Sequence, residues 1–149
     1  MSSGVQILHR AYHEAGHAVA LHLHNLPLQG ITLDAIPDAE ELSPRWMQQF
    51  QQSAARDTEI PTATWLFCLV AGEVAEAIHA DRHWNYQAPD VRDALAIAAV
   101  ASEGDVDEAW ALLTWVLYRT RRTLREPETW RKVEAVAGAL VETGRLKGK

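Results

Sequence analysis

Residues Tyr12–Val19 read Tyr-His-Glu-Ala-Gly-His-Ala-Val, and the rest of the chain is interpreted outward from this stretch. Residues four apart on a helix lie on one face, so His13 and His17 can converge on a single metal ion. Glu14 lies about 100° around the same helix. There its carboxylate can accept a proton from a water at the metal rather than act as a ligand. The small residues of the stretch let another helix approach closely. The pattern therefore predicts an HExxH zinc site, with His13 and His17 as ligands and Glu14 as the general base.

The sequence around this motif predicts a helix over residues 5–25, because apolar side chains recur there at helical spacing. These side chains are Val5, Leu8, Ala11, Tyr12, Ala15, Ala18, Val19 and Leu23. Asn25 and Pro27 predict the end of that helix. The next segment, Gly30–Ile36, is short and contains β-branched residues, and Pro37 follows it. It predicts a strand.

The remainder of the chain predicts four more helices. They run from about Thr62 to His79, Asp90 to Ser102, Val106 to Leu124 and Pro127 to Glu142. Pro89 suits a first helical turn, where its missing N–H costs nothing. Gly104 and Gly144 are stop signals. The polar segment 37–61 predicts irregular structure or one short helix. We therefore expect one mainly α domain over residues 1–149, with one small β element.

A catalytic zinc site needs a third protein ligand and an open fourth position. His24 shares the face of His17 but lies about 10 Å further along the helix, so it is interpreted as a helix-end histidine. Glu73 or Glu76 would give a thermolysin-like site, or one of them could accept an N–H from a ligand histidine. Two glutamates three residues apart are also typical of the solvent-exposed face of a helix. Asp90 begins a helix, where an acid complements the helix dipole. Spacing alone does not separate Asp90 from Glu76.

Composition limits the class of protein. The chain has 149 residues, of which 48% are hydrophobic and 23% charged, as in a single globular domain. Its formal net charge is -6, which disfavours nucleic acid as a partner. The single cysteine, Cys68, lies in an apolar run and is interpreted as a buried small hydrophobe, which suits a reducing compartment. No run approaches the roughly 18 uninterrupted apolar residues of a membrane helix. We expect a soluble, cytoplasmic protein without a transmembrane segment.

Six tryptophans are many for this length. Four fall in predicted helices and are interpreted as core residues: Trp65, Trp110, Trp115 and Trp130. Two fall in predicted loops and are candidates for lining a substrate groove: Trp46 and Trp84.

The motif and the segments after it resemble the peptidase domain of FtsH-type ATP-dependent zinc metalloproteases. The similar segments are Tyr12–Val19, Gly30–Pro37, Leu69–Gly72 with Ala75 and Glu76, and Ala88–Val91. Three further segments resemble that domain's closing C-terminal helical hairpin: Val106–Leu124, Trp130–Leu140 and Thr143–Leu146. The similarity covers nearly all of residues 5 to 149.

This resemblance implies that Asp90, at the start of a helix, is the third zinc ligand. It implies that Glu76 is a supporting acid near the metal, and that Gly30–Ile36 pairs with extended substrate backbone. The chain departs from the family in having neither the membrane segment nor the ATP-driven ring, and it contains no glycine-rich phosphate loop. Residues Asp38–Asp57 do not match the family's strand region, and Pro89 replaces a polar residue. The zinc site carries over, whereas ATP dependence does not.

The leading hypothesis is a zinc metalloendopeptidase acting on flexible or unfolded peptides. His13, His17 and Asp90 hold the ion and Glu14 is the base. Loop residues that could stabilise an oxyanion are His79, His83 and Tyr86. The alternative is a catalytically silent zinc-binding interaction or regulatory module, although a purely structural site has no need of Glu14. Substrate identity, an ATPase partner in trans and a homo-oligomer are left open.

Overall fold

The computed structural model describes residues 3–26, 31–32, 61–143 and 145–146. Within these residues the chain forms five helices and one short antiparallel strand pair. The helices are α1 (Ser3–Leu23), α2 (Thr62–Ala80), α3 (Pro89–Ala101), α4 (Val106–Leu124) and α5 (Pro127–Thr143). In the strand pair, β1 (Ile31–Thr32) lies beside β2 (Arg145–Leu146). The prediction of a mainly α fold is confirmed.

The helix ends lie within two residues of the predicted ends, because local turn chemistry sets them. Asn25 closes α1 with a left-handed backbone at φ 56, and Asp81 closes α2 in the same way at φ 54. Pro89 occupies the first turn of α3, as predicted. The Asp105 side chain accepts a hydrogen bond of 3.0 Å from the Glu108 backbone N–H and so caps α4.

Several expectations fall outside the described residues. The predicted strand Gly30–Ile36 is described only at β1, so its full length stays a prediction. The irregular segment and the loop tryptophan Trp46 lie in residues 33–60, which are outside the described residues, and so does the stop signal at Gly144.

In the C-terminal pair of helices, α5 packs chiefly against α1 and less against α4.

The central element of the fold is α2, which packs against α1, α3 and α4. Most of its length is buried, including Cys68 at 0% exposure, which confirms the predicted burial of that thiol. By length and composition α2 is also the one described helix that could cross a membrane, with a mean hydropathy of 1.3. However, 61% of that window is buried inside the fold, and core helices of soluble proteins pass the same test. The absence of a transmembrane segment stays a prediction.

Helices α1 and α2 approach closely at Gly16. A Cβ added to Gly16 would lie 2.4 Å from the Ala71 carbonyl oxygen and 2.7 Å from the Ala75 Cβ. The expected close approach of a helix to the small residues of the motif is therefore present. It places the histidine face of α1 directly against the centre of α2.

The tryptophans depart from prediction in three places. Trp110 and Trp115 were expected in the core, but they are 40% and 54% exposed on the outer side of α4. Trp84 was a candidate for a substrate groove, but it is only 4% exposed. Helical position alone does not say which face of α4 the core covers. Trp65 and Trp130 are partly buried and pack against the core, as predicted.

Candidate metal centre

Three donor atoms from α1 and α3 converge on one point. His13 Nε2 lies 3.0 Å from Asp90 Oδ2, and His17 Nε2 lies 2.9 Å from the same oxygen. The two Nε2 atoms are 3.2 Å apart. Asp90 and His17 are 5% and 2% exposed, and His13 is half-buried. The structure thus brings together His13, His17 and Asp90, the set that the family resemblance implied.

The spacing of these donors fits a tetrahedral metal ion. Zinc holds nitrogen and oxygen ligands at about 2.0–2.1 Å, which places neighbouring tetrahedral ligands about 3.3–3.4 Å apart. The observed separations of 2.9, 3.0 and 3.2 Å need only a small outward adjustment to reach that value. Two imidazoles and one carboxylate form a donor set that zinc takes at catalytic sites, where a fourth position is open.

The outer nitrogen of each imidazole is held by a protein acceptor. His13 Nδ1 lies 3.2 Å from Glu76 Oε1, and His17 Nδ1 lies 3.0 Å from the carbonyl oxygen of Cys68. With Nδ1 donating to these oxygens, a neutral ring presents the Nε2 lone pair to an ion. Glu76 is therefore placed as a support for His13, and Asp90 is placed as the third donor.

Without a metal the charges of the three donors stabilise one another. Burial lowers the pKa of His13, but hydrogen bonds to Asp90 and Glu76 and the nearby negative charges outweigh it, so the pKa lies well above its usual value. Burial raises the pKa of Asp90. The charge of His17 and the hydrogen bonds from both histidines lower it by a larger amount, so the pKa lies below its usual value. The pKa of Glu76 is lowered as well, by His13 and Arg82 against the effect of burial. A metal ion must therefore displace a proton from this cluster.

Gly72 on α2 leaves the space in which the two rings meet. A Cβ added there would lie 2.4 Å from His17 Nε2, 2.7 Å from His13 Nε2 and 2.8 Å from His13 Cδ2. These separations are well inside van der Waals contact. No residue with a side chain can occupy this position while both imidazoles keep their orientation. The sequence contains Gly72 within the family-like segment, but the requirement is visible only once α1 and α2 are packed.

Arg82 connects the outer carboxylates of the centre to the loop before α3. Its guanidinium lies 2.7 Å from Glu73 Oε2 and 3.0 Å from Glu76 Oε2. Glu73 also accepts the Asn85 backbone N–H at 2.7 Å. At 4% exposure Glu73 is not on a solvent-exposed face of its helix, so that interpretation is wrong for it. The ion pair fixes the loop that leads to Asp90.

A second close group, His13 with Glu73 and Glu76, has the spacing of metal donors. Arg82 already supplies the positive charge between the two carboxylates. Hydrogen bonding to Glu73, followed by the charges of both glutamates, raises the pKa of Arg82 despite partial burial. This group is therefore a salt-bridge network that supports the centre rather than a second metal site.

Glu14 lies next to His13 in the sequence and is 9% exposed. Its negative charge contributes to the raised pKa of His13, so the carboxylate is within electrostatic range of the ring. Within the part of the chain that the structure describes, no hydrogen bond or ion pair engages the Glu14 carboxylate. None of the described residues therefore occupies the lone pairs of this carboxylate, which a general base uses to hold water.

The other predicted histidines have different surroundings. His24 packs edge-on against Phe67 with ring centroids 4.8 Å apart, and burial lowers its pKa. It is a helix-end histidine, as interpreted. His79 stacks on Tyr12 at 3.8 Å, so its ring face is covered. His83 and Tyr86 pack around the loop tryptophan. None of these joins a donor group among the described residues.

The loop before α3 is braced from the far side by Trp84. The Trp84 ring packs edge-on against Tyr118 at 5.0 Å, and the Arg121 guanidinium lies 5.1 Å from its centroid. This contact joins the Asp90 loop to α4. No local pattern marks Trp84 or Arg82 as a support of the centre, because both act through tertiary contacts.

No protein-family model matches the chain, and the search of curated proteins finds no matching relative.

Proposed function

We propose that this protein is a zinc metallopeptidase with a site of the FtsH peptidase type. The observation that carries the proposal is the convergence of His13 Nε2, His17 Nε2 and Asp90 Oδ2 within 3.2 Å of one another. The buried Glu14 carboxylate lies next to His13 on the same helix. The supporting contacts to Glu76 and to the Cys68 carbonyl add to it. A purely structural zinc site has no need of a carboxylate in the position of Glu14.

His13, His17 and Asp90 would hold the ion in this site. Zinc, when bound, polarises a peptide carbonyl and lowers the pKa of water beside it. Glu14 accepts the proton of the attacking water, whose oxygen forms the new bond to the carbonyl carbon. Glu14 then gives that proton to the leaving amine as the peptide C–N bond breaks. Glu76 and the Cys68 carbonyl keep both imidazoles oriented throughout.

The substrate class follows from the resemblance to FtsH-type peptidases. That family joins its peptidase domain to an ATP-driven ring that unfolds substrates. We propose that the substrates here are flexible or already unfolded polypeptides, supplied with or without an ATPase acting in trans. Extended substrate would pair with the predicted strand Gly30–Ile36. The oxyanion stabiliser among His79, His83 and Tyr86 stays open.

The decisive experiment replaces Glu14 with glutamine. The amide has nearly the same shape and similar helix propensity but does not accept the proton. We expect Glu14→Gln to keep its zinc content and thermal stability, and to cleave a disordered fluorogenic peptide at least about a hundredfold more slowly. Glu142→Gln, an exposed substitution in the last turn of α5, is the matched control and should cleave normally.

Two outcomes would contradict the peptidase proposal. Equal cleavage by wild type and Glu14→Gln would indicate a contaminating protease. A zinc-loaded wild type that cleaves none of a broad panel of unfolded substrates, alone or with a candidate ATPase, would favour the silent zinc-binding module instead.

A further inference from the structure

The outer surface of α4 carries a groove of about 530 Å³ that is separate from the metal centre. Its lining consists of arginines and aromatic rings with a single acid: Trp115, Tyr118, Arg119, Arg121, Arg122, Arg125 and Glu126. Four arginines against one glutamate give the lining a formal charge of +3, in a chain whose net charge is -6. Positive charge is therefore concentrated on this face.

Two of the arginines are held over aromatic rings. The Arg119 guanidinium lies 5.5 Å from the Trp115 ring centroid, and that of Arg121 lies 4.8 Å from the Tyr118 centroid. Cation–π contact of this kind limits the freedom of a long side chain without neutralising its charge. Because that freedom is already reduced, less entropy is lost when an anion binds.

The charges of these four arginines are not neutralised by the described residues. Among residues 3–26, 31–32, 61–143 and 145–146, no carboxylate forms an ion pair with any of the four. The helix dipole favours cations in the last turn of α4, which accounts for Arg121 and Arg122. It does not account for Arg119, which lies before that turn. Since none of these described carboxylates holds them, the four guanidinium groups can engage an external anion.

We propose that this groove binds an acidic, extended segment of a protein. Arg119 and Arg125 are six residues apart on α4, a distance of about 9 Å along the helix axis. About three residues of extended chain span that distance, so successive glutamate or aspartate side chains can reach successive guanidiniums. Each guanidinium offers a planar pair of N–H donors that matches a carboxylate.

A nucleic acid fits this surface less well. One guanidinium lies over each of the Trp115 and Tyr118 rings, so it competes with a base for that ring face. Acids also bracket the basic stretch along the chain, with Asp105, Asp107 and Glu108 before it and Glu126 and Glu128 after it. A long phosphodiester chain, charged at every unit, would extend past the groove to all of these carboxylates, whereas a short acidic peptide in the groove would meet only Glu126.

The proposal stands apart from the zinc chemistry, since binding to the groove needs no metal. The groove nevertheless borders the Asp90 loop, because Arg121 contacts the ring of Trp84 as well as that of Tyr118. A segment held there would be retained beside the loop that leads to the metal centre.

The test measures binding of a short fluorescein-labelled peptide, in which glutamate alternates with leucine, by fluorescence anisotropy to the full chain. We expect Arg119→Glu combined with Arg122→Glu to weaken binding at least about tenfold, since two favourable charge contacts become repulsive. Arg131→Glu combined with Lys132→Glu on α5 changes the net charge equally and also alters exposed residues. This matched control should bind within about twofold of wild type.

Each result decides the proposal. The proposal is supported if only the α4 variant loses affinity for the peptide and if the wild type binds the peptide more weakly at higher salt. It also requires that a peptide with glutamine in place of each glutamate does not bind. Arg119→Gln with Arg122→Gln gives a second α4 variant if the glutamate pair unfolds. Equal loss in the α5 control, absence of peptide binding, or tighter binding of an oligothymidylate than of the peptide would overturn it.

Discussion

Replacing Gly72 with alanine places a methyl group in the space where the two ligand imidazoles meet. The added Cβ would lie 2.4 Å from His17 Nε2 and 2.7 Å from His13 Nε2. Carbon and nitrogen in contact prefer a separation of about 3.4 Å or more, so the rings must move by roughly 0.7–1.0 Å. Metal–ligand distances in proteins stay within about 0.2 Å of their usual values, so bond lengths do not absorb a ring shift of this size. We therefore expect zinc affinity to fall at least about a hundredfold, the upper end of the range for losing a residue that merely supports a ligand.

The metal-free fold should survive the Gly72→Ala change. Alanine is favoured over glycine inside a helix by about 1 kcal/mol, whereas overpacking costs about 1–3 kcal/mol. The net loss is at most about 2 kcal/mol, which is small beside the 5–15 kcal/mol of an ordinary domain. Elemental analysis after dialysis against a weak chelator measures retained zinc. The rise in melting temperature on adding zinc measures binding independently.

Gly138 on α5 provides the matched control. A Cβ added there meets nothing within 4 Å, so Gly138→Ala should gain up to about 1 kcal/mol of stability and keep its zinc. If Gly72→Ala retains zinc as tightly as wild type and Gly138→Ala, the two imidazoles do not meet at Gly72 when metal is bound, and the proposed geometry fails.

Two further predictions concern the same centre. Asp90→Ala should empty the site, whereas Glu76→Ala should weaken zinc retention by about 10–100-fold. If elemental analysis instead finds zinc in Asp90→Ala and none in Glu76→Ala, Glu76 is the ligand. In chelator-treated protein, the raised pKa of His13 adds stability that is present below its ordinary value of 6.5 and lost as pH rises through the raised pKa. The lowered pKa of Asp90 adds stability that is present above 3.8 and lost as pH falls. Urea unfolding of the metal-free protein should therefore show the greatest free energy of unfolding at mildly acidic pH. The stabilisation that added zinc provides should increase as pH rises. A free energy of unfolding that does not change with pH, with or without zinc, would count against this cluster.

Local patterns in the sequence predict the helices well. The helix ends depend on Asn25, Asp105 and Pro89, whose effects reach only a few residues. The pairing of His13 with His17 is equally local, because helical geometry alone places both rings on one face. These features require no knowledge of how the helices pack.

The third donor and the supports of the centre depend on packing and so escape local patterns. Asp90 is 73 residues from His17 in the chain, and spacing alone did not separate it from Glu76. The carbonyl of Cys68 carries no residue-specific signal, since every residue has one. The need for Gly72 arises only where α1 crosses α2. The exposed faces of Trp110 and Trp115 likewise depend on which side of α4 the core covers.

The donors of the centre belong to two separate parts of the fold. His13 and His17 stand on α1, which is packed into the core, whereas Asp90 follows a loop held by Arg82 and the Asn85 backbone N–H through Glu73. In the proposed zinc site, an ion would lose its carboxylate ligand if this loop opened, while both imidazoles stayed in place. The residence time of that ion would then follow the opening rate of the loop rather than the unfolding rate of the whole domain.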